Sequence, residues 1–382
     1  MLTTMAPAAP LTTADVVAKV FLERRSSGRS YAAEDCGTHI ISQDGEPRWI
    51  IVGAPSKALP VLSSWAPWKT GSRIRWNAVR MAAGMNLLPK MPGVQNTAMP
   101  IDTFYWRANL SCFPKHWSAV IHVGSPSHSR KAILFLIENG KRVVSAGKIP
   151  LVQGAAEAIL NEADMLDLLS RFDYLPRVLF RDRDRGVAAQ SWLIGKPVSR
   201  GFSQAHLDLL KSLARANGTA RVSDHREELS ASLQASDLPF DRSVLARALE
   251  VLDCDLQLRR FVEHRDFAPW NLKWIRKDVL GLLDWEWAVP DGLPWQDACR
   301  HFYIDDVHFG GSGQVWDALQ GNELLLRYRR EFEIPLRALS ALTMRYLLRE
   351  LLMEWEGRNE WLADYAFRQI RLLVEAASPV TG

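Results

Sequence analysis

Residues 261–292 read FVEHRDFAPWNLKWIRKDVLGLLDWEWAVPDG, within a part of the chain whose pattern is otherwise helical. Two apolar segments, 272–275 and 279–283, flank the polar turn 276–278, and this pattern predicts two short strands joined as a hairpin. Binding and catalytic residues concentrate in loops on a rigid scaffold. A polar loop and hairpin placed among helices therefore indicate a functional segment.

Four polar side chains surround this hairpin. His264, Asp266 and Asn271 precede it with the spacing HxDxxxxN, and Asp284 follows thirteen positions after the asparagine. Phosphoryl transfer requires one carboxylate that orients and deprotonates the attacking hydroxyl, and it requires amide and carboxylate oxygens that hold magnesium against the phosphates. The hairpin would bring Asn271 and Asp284 to one cation. The set therefore fits phosphoryl transfer, although HxDxxxxN by itself is only moderately specific.

The region before this segment is rich in predicted strands. Three apolar runs are joined by two turns, at 118–124, 132–138 and 143–148. Asn139-Gly140 in the second turn is a strong hairpin signal, because both residues tolerate positive φ. A helix with apolar positions at helical spacing follows, and runs at 177–180 and 187–194 complete a small antiparallel sheet. Since the pattern from residue 203 onward is mostly helical, the sequence predicts an α+β fold.

HRDFAPWNL followed by LLDWEWA resembles the aminoglycoside phosphotransferase and choline kinase family, small-molecule relatives of protein kinases with the same two-lobed fold. The resemblance covers roughly residues 110–375. It implies that Asp266 is the catalytic base, that His264 organises the loop, and that Asn271 and Asp284 bind Mg²⁺. It also implies that Asp297, in PWQDA, braces the catalytic loop. The implied cofactors are Mg²⁺ and ATP, with GTP not excluded.

The same resemblance implies a nucleotide site upstream. Lys148 ends the third predicted strand and would contact the α and β phosphates when paired with Glu162 on the following helix. Glu157 is the alternative partner on that helix. Ser125 and Ser127 lie in the turn that the family uses to cover the phosphates, although this turn is not glycine-rich.

Gln190 and Trp192 lie in a segment that resembles the hinge beside the nucleotide base. Backbone contacts in such a hinge carry no side-chain specificity, so ATP and GTP both remain open.

The acceptor is expected to be a small molecule with a hydroxyl group. Glu286, two positions after Asp284, is one candidate acceptor residue, and Asp297 is another. Acids and tryptophans further along suit either a cationic acceptor or a sugar, although any single one is more often a core or solvated residue. They are Trp285, Trp287, Asp291, Trp295, Asp305, Asp306, Glu354, Trp355, Glu356 and Trp361.

Composition bears on the class of partner and on the cellular compartment of the protein. The 382 residues include 47 Lys plus Arg and 43 Asp plus Glu, and the net charge of +4 is too small to indicate a nucleic-acid partner. There is no uninterrupted apolar run of about 18 residues, so no transmembrane segment is predicted. The four cysteines are far apart, with no CxxC pair, and the first 25 residues lack a signal-peptide pattern. We therefore expect a reduced, cytoplasmic protein.

The expected organisation has three parts: an N-terminal extension of unknown role (1–110), a nucleotide-binding N-lobe (111–195) and a helical C-lobe with the catalytic loop (196–382). Within the extension we expect a loose leader to about residue 30, a strand at 49–52, a helix at 73–83 and an irregular connector at 87–114. Residues 48–76 bear a weak likeness to leading segments of kinase-like proteins of bacterial surface-polysaccharide clusters. That likeness favours a saccharide-related acceptor over an antibiotic.

Three functional hypotheses follow from these observations. The first is a small-molecule kinase that transfers the γ-phosphoryl group of a nucleoside triphosphate to a sugar or an aminoglycoside-like acceptor. The second is a nucleotide-binding pseudokinase or regulatory module linked to surface-polysaccharide synthesis, against which the intact base and metal ligands argue. The third is a carbohydrate-binding or scaffold protein that uses the tryptophans.

Overall fold

The structure, a computed structural model, describes residues 11–21, 34–65, 67, 70–198, 200–311 and 313–377. The chain forms two compact units that divide after Ile194. The first unit is built on an antiparallel sheet, and the second is mainly helical. The predicted α+β fold, with a strand-rich part followed by a helical part, is confirmed.

The first unit contains five helices and eight strands within the described residues. The helices are α1 (Thr13–Phe21), α2 (Leu59–Ser64), α3 (Thr70–Gly84), α4 (Phe104–Asn109) and α5 (Ala155–Leu168). The strands are β1 (Glu34–Gln43), β2 (Glu46–Val52), β3 (Val94–Ile101), β4 (Trp117–Val123), β5 (Lys131–Glu138), β6 (Arg142–Pro150), β7 (Val178–Asp182) and β8 (Val187–Gln190). Short 3-10 helices lie at Pro55–Ala58 and Leu88–Lys90.

The eight strands form one sheet in the order β3-β1-β2-β4-β5-β6-β8-β7. Successive side chains of a strand point to opposite faces, and here both faces are covered by helices. Ile50 and Val52 of β2 pack with α1 and α4 on one face, whereas Trp49 and Ile51 pack with α2 and α3 on the other. The continuous apolar run Trp49–Val52 therefore reflects a strand that is buried on both sides.

Strands β4 to β8 and helix α5 have the arrangement that the sequence pattern predicts, a small antiparallel sheet with one helix. β4, β5 and β6 pair in sequence order, α5 follows β6, and β8 lies between β6 and β7. Asn139 and Gly140 both have positive φ in the turn between β5 and β6, as the hairpin signal predicts. Ile159, Ala163 and Leu166 form the buried stripe of α5.

The structure differs from the expectations for residues 1–110. β1, β2 and β3 extend the same sheet beyond β4, so the chain does not divide near residue 110, and the sheet is larger than predicted. Residues 87–114 include β3 and α4 rather than only an irregular connector. β3 pairs with β1, whose residues lie about sixty positions earlier, so no local pattern marks it. The predicted leader contains α1, whose Val16 and Val20 are fully buried; residues 1–10 and 22–33 lie outside the described residues.

The second unit contains eight helices and six short strands within the described residues. The helices are α6 (Gln204–Ser212), α7 (Arg226–Ala235), α8 (Arg242–Val251), α9 (Gln296–Phe309), α10 (Val315–Gly321), α11 (Glu323–Glu331), α12 (Leu336–Glu356) and α13 (Glu360–Ala377). The strands are β9 (Lys196–Pro197), β10 (Ala214–Arg221), β11 (Gln257–Glu263), β12 (Leu272–Arg276), β13 (Val279–Leu282) and β14 (Val289–Gly292). They form two small sheets, β10-β11-β14 and β13-β12-β9. The predicted hairpin around 276–278 is β12–β13.

Two further expectations concern the whole chain. In the part of the chain that the structure describes, no helix is both long and apolar enough to cross a bilayer. No disulfide links the four cysteines, all of which lie among the described residues, and Cys299 is buried.

Candidate active site

The loop between β11 and β12 holds three of the predicted residues. β11 ends at Glu263, His264 follows at once, and a 3-10 turn at Pro269–Asn271 leads into β12. Arg265 (φ 68°) and Asp284 (φ 66°) lie in the left-handed region of backbone space. Non-glycine residues adopt this conformation at an energetic cost and keep it where surrounding contacts hold them, often at functional sites.

His264 is fully buried and uses both ring nitrogens. Nε2 donates to the carbonyl oxygen of Leu283 (2.9 Å), and Nδ1 accepts from the backbone N–H of Asp266 (3.2 Å). Burial lowers the pKa of the imidazole, and the opposing effect of Asp297, Asp266 and Asp284 is smaller. A neutral ring with its proton on Nε2 satisfies both partners. His264 therefore connects the backbone of Asp266 to the residue before Asp284.

The carboxylate of Asp266 is held from two sides. Oδ2 accepts from the side-chain amide of Asn271 (2.7 Å), and Oδ1 accepts from Nη2 (2.9 Å) and Nε (3.2 Å) of Arg300. The third nitrogen of this guanidinium, Nη1, donates to the buried carboxylate of Glu350. A carboxylate oxygen can accept more than one hydrogen bond. Asp266 is therefore fixed in orientation, and its oxygens can accept a further hydrogen bond.

Asn271 and Asp284 are brought together by the hairpin. The backbone oxygen of Asn271 accepts from the N–H of Leu283 (2.9 Å), immediately before Asp284. Because the amide nitrogen of Asn271 is used by Asp266, the amide oxygen is the group left for a cation. Among the described residues, no group of three or more His, Cys, Asp or Glu side chains could hold a metal ion. One carboxylate and one amide oxygen nevertheless fit Mg²⁺, which completes its shell with water and phosphate oxygens.

Asp297, at the start of α9, contacts the loop between β11 and β12 directly. Its Oδ2 accepts from the backbone N–H of His264, and its Oδ1 accepts from the backbone N–H of Arg265, both at 2.8 Å. Burial raises the pKa of this carboxyl above its ordinary value. Both oxygens face loop amides, so this geometry fits the bracing role and does not fit the second role suggested for Asp297, contact with the acceptor.

Glu263, the last residue of β11, anchors the loop from the other side. Its carboxylate accepts from Arg345 (3.0 Å), Arg349 (3.0 Å) and Arg265 (3.3 Å), and from the backbone N–H of Leu293 (2.8 Å). Burial alone would raise the pKa of this carboxyl, but the three arginines hold it at about 2. Glu263 is therefore a buried anion whose charge fixes the start of the loop.

In the first unit, Lys148, the residue predicted to contact the phosphates, is paired with its predicted partner Glu162. Nζ of Lys148 on β6 donates to Oε2 of Glu162 on α5, and both side chains are buried. The alternative partner, Glu157, is exposed near the start of the same helix. The pairing predicted from the sequence is therefore present in the structure, whereas its role in nucleotide binding stays a prediction.

The turn between β4 and β5, residues 124–130, is held by the neighbouring strand β2. Arg130 is 6% exposed and pairs with Glu46 (2.6 Å), while its Nε donates to the carbonyl of Gly124 (3.1 Å). Arg48 donates from Nη2 to Oγ of Ser125 (2.8 Å). Ser125 and Ser127 are exposed. Strand β2, from the predicted extension, thus shapes the turn in which the two serines were predicted to contact phosphates.

Gln190 and Trp192 lie at the end of the first unit. Gln190 closes β8 and pairs in register with Ala146 of β6. The half-buried ring of Trp192 packs edge-on against Phe135 (centroids 5.2 Å apart) and against the core on the α2–α3 face. Trp192 therefore packs against the buried core of the first unit. Its predicted contact with a nucleotide base stays a prediction.

Comparison with known proteins adds a structural likeness. No protein-family model matches the chain, and no curated protein does. The chain is similar in structure to aminoglycoside phosphotransferases and to a choline kinase. The structure of a thermostable mutant of aminoglycoside phosphotransferase APH(4)-Ia in its apo form is 15% identical, with 68% of this chain and 95% of that chain covered and a TM-score of 0.49.

The chain is similar to two further solved structures. The GDP complex of wild-type aminoglycoside 2'-phosphotransferase-IIIa is 15% identical, with 68% of this chain and 93% of that chain covered and a TM-score of 0.44. Choline kinase LicA from Streptococcus pneumoniae is 12% identical, with 66% and 92% covered and a TM-score of 0.45. Both groups named by the sequence resemblance are therefore among the structures to which this chain is similar.

Several residues that were candidates for contact with the acceptor pack in the core or pair with other side chains. Trp285 is fully buried with its ring edge-on to His264 (4.6 Å), and Trp295 is also buried. Asp305 pairs with Arg200, and Asp306 accepts from the hydroxyl of Tyr365. These residues therefore have packing or pairing roles. Glu286 is half-buried in the turn after Asp284, and burial raises the pKa of Glu354 to about 7.

Sequence reasoning missed the residues that hold Asp266 and the turn at 124–130. Arg300 and Glu350 lie 34 and 84 positions beyond Asp266, and neither belongs to the catalytic-loop pattern. Glu46 lies 84 positions before Arg130. The one local signal is that Arg300 follows Asp297 by three positions, which places both on one face of α9.

Proposed function

We propose that this protein is a small-molecule kinase, which transfers the γ-phosphoryl group of a nucleoside triphosphate to a hydroxyl of a sugar or an aminoglycoside-like acceptor. The observation that carries the proposal is the hydrogen-bonded set of Asp266, Asn271 and His264, with His264 bonded to the residue before Asp284. This set has one carboxylate that can accept a proton and two oxygen ligands suited to a cation.

In the proposed reaction, the acceptor hydroxyl attacks the γ-phosphorus and gives its proton to Asp266. The new bond joins the acceptor oxygen to phosphorus, the bond to the bridging oxygen breaks, and the nucleoside diphosphate leaves. Asn271 and Asp284 would hold Mg²⁺, which neutralises charge on the phosphates. Lys148, oriented by Glu162, would contact the α and β phosphates. Positioning supplies most of the catalysis, and no phosphoenzyme forms.

The acceptor class is proposed from the residues after Asp284. Glu286 is half-buried two positions beyond the proposed metal ligand and offers a carboxylate to an amine or a sugar hydroxyl. ATP is proposed as the donor, and GTP is tested beside it because the hinge segment offers mainly backbone groups.

The test is nucleotide turnover with Mg²⁺, using ATP and GTP against a panel of sugars, aminoglycosides, choline and ethanolamine. We expect acceptor-stimulated turnover that falls by at least about a hundredfold in Asp266→Asn and in Asp284→Asn. Asp278→Asn is the matched control, because Asp278 lies exposed in the turn of the same hairpin at φ 57°, which asparagine tolerates.

Retained turnover in both Asp266→Asn and Asp284→Asn would contradict the proposal. Nucleotide binding without turnover on any acceptor would instead favour the pseudokinase hypothesis. Glycan binding without a thermal shift from Mg-ATP would favour the carbohydrate-binding scaffold.

A further inference from the structure

Helix α3 has an apolar outer face. Trp76 and Ala83 point into the core beneath the sheet, whereas Ile74, Met81 and Met85 are 68%, 66% and 59% exposed. Met85 directly follows the helix and continues it, because its N–H donates to the carbonyl of Met81 (3.1 Å). Positions i, i+7 and i+11 lie on one side of a helix. The exposed residues therefore form a stripe directly opposite the buried side, where a surface helix ordinarily carries polar residues.

The stripe has apolar neighbours. Ala78, at i+4 from Ile74, is exposed on the same side, and Leu87 just beyond the helix is 41% exposed. Exposed apolar residues scattered singly need no explanation, but a contiguous set indicates an interaction surface.

The stretch that contains this helix is strongly basic. Residues 47–101 include seven Lys and Arg residues and no Asp or Glu, although the whole chain has a net charge of only +4. The seven are Arg48, Lys57, Lys69, Arg73, Arg75, Arg80 and Lys90. Lys57, Arg75 and Lys90 are exposed on α3 and on the two 3-10 helices beside it. The apolar stripe is therefore set in a cationic surface.

We propose that α3 binds the surface of an anionic lipid membrane, with Ile74, Met81 and Met85 entering the boundary of the acyl chains. A helix with an apolar stripe and cationic flanks lies in the plane of a membrane interface, and each Lys or Arg near anionic headgroups strengthens the attachment. The helix has 15 residues, which is too short to span a bilayer. This contact goes beyond the proposed phosphotransfer and uses none of its residues.

The charge and the apolar stripe of this surface favour a lipid membrane over a second copy of the chain or a nucleic acid. A second copy bound through α3 would bring two basic surfaces together, and like charges at an interface repel. A nucleic acid would satisfy the cations but would leave the apolar stripe in water, since its phosphates dominate the contact. An anionic membrane satisfies the charge and the apolar stripe together.

The experiment is sedimentation of the full chain with vesicles, either of equimolar phosphatidylcholine and phosphatidylglycerol or of phosphatidylcholine alone. We expect binding to the anionic vesicles that weakens with added salt, and little binding to the neutral ones. Ile74→Glu/Met81→Glu should reduce the binding constant at least about tenfold. The control is Leu336→Glu/Met353→Glu, which makes the same change at two exposed apolar positions of the second unit and should bind like the unsubstituted protein.

A separate pair of substitutions tests the contribution of the basic residues to membrane binding. Arg75→Gln/Lys90→Gln should weaken binding to the anionic vesicles about tenfold, whereas Lys277→Gln/Arg337→Gln, at exposed positions elsewhere, should not. Nucleotide turnover without vesicles should be the same in all of these variants, which separates this inference from the proposed function.

Any of three results overturns the proposal. The first is absence of binding to anionic vesicles, and the second is binding that Ile74→Glu/Met81→Glu leaves unchanged. The third is a dimer in analytical ultracentrifugation that Ile74→Glu/Met81→Glu dissociates, which would assign the stripe to a second copy.

Discussion

Arg300 joins two carboxylates that have different surroundings. Two of its nitrogens bind Asp266, and the third binds Glu350, which is almost fully buried. A guanidinium offers donors in a rigid planar fork, whereas an ammonium group is a single point of charge. Asp266 therefore owes part of its orientation to a side chain that the HxDxxxxN pattern does not include.

Arg300→Lys is expected to lower kcat by about tenfold to a hundredfold, because one ammonium cannot hold both carboxylates in place. The Kd for nucleotide should change little, since Arg300 acts through Asp266. Stability should fall by about 1–3 kcal/mol, because the buried Glu350 loses part of its pairing. Steady-state kinetics and urea unfolding measure the two effects, with the exposed Arg337→Lys as the control. Equal losses in kcat and in nucleotide affinity would contradict this positioning role.

Glu162 and Glu157 offer a matched pair on α5. Glu162 is buried against Lys148, whereas Glu157 is exposed five positions earlier. Glu162→Gln removes the charge that orients Lys148, so the KM for nucleotide should rise by about tenfold. Glu157→Gln should leave the KM for nucleotide unchanged. Its free energy of unfolding should stay within about 0.5 kcal/mol of that of the unsubstituted protein. If the two variants had the same KM, Lys148 would not be oriented through Glu162.

Strand β2 holds the turn at 124–130, in which Ser125 and Ser127 are proposed to contact phosphates. Its Glu46 and Arg48 reach across to the turn at 124–130, and its apolar residues fill both faces of the sheet. Arg130 lowers the pKa of Glu46, so this ion pair is retained well below neutral pH. A segment predicted as an extension is thus a structural part of the proposed phosphate site.

Glu46→Gln is expected to raise the KM for nucleotide about threefold to tenfold, because the turn loses the ion pair that holds Arg130. Asp44→Asn is the control, because Asp44 is exposed in the adjoining turn at φ 53°, a conformation that asparagine also adopts. Nucleotide titration and limited proteolysis of the turn measure the effect. An unchanged KM with faster proteolysis would mean that the turn does not contact nucleotide.

The stability of the molecule depends on buried neutral histidines. His206 of α6 and His301 of α9 lie with ring centroids 5.1 Å apart, and burial lowers their pKa values to about 3 and about 4. The ordinary value near 6.5 applies in the unfolded chain. Between these values the unfolded chain binds protons that the folded chain does not, so the free energy of unfolding falls as the pH is lowered.

For His301 the loss begins as the pH falls through 6.5 and is complete near pH 4, and it amounts to on the order of 3 kcal/mol. His301→Gln should remove this part of the pH dependence, whatever its effect at neutral pH. Urea unfolding between pH 7 and pH 4 measures the slope, with the exposed His116→Gln as the control. A slope that is the same in His301→Gln and in the unsubstituted protein would show that His301 is not held neutral.

Local patterns predicted much of the fold and part of the site. The hairpin around 276–278, the three strands between 117 and 150, and α5 all follow from apolar spacing and turn residues within a few positions. The strand β3 was missed, because its residues are mostly exposed at a sheet edge and its partner is distant in sequence.

What the sequence determined by itself was the identity and spacing of His264, Asp266, Asn271 and Asp284, because one short loop and one hairpin place them together. Only the tertiary structure decided which distant side chains hold this loop and the turn at 124–130. Arg300 and Glu350 meet 50 positions apart, and Glu46 and Arg130 meet 84 positions apart. It also decided that α3 exposes apolar residues. The physical reason is that turn chemistry and periodicity act over a few residues, whereas buried charge pairs and helix orientation depend on how distant elements pack.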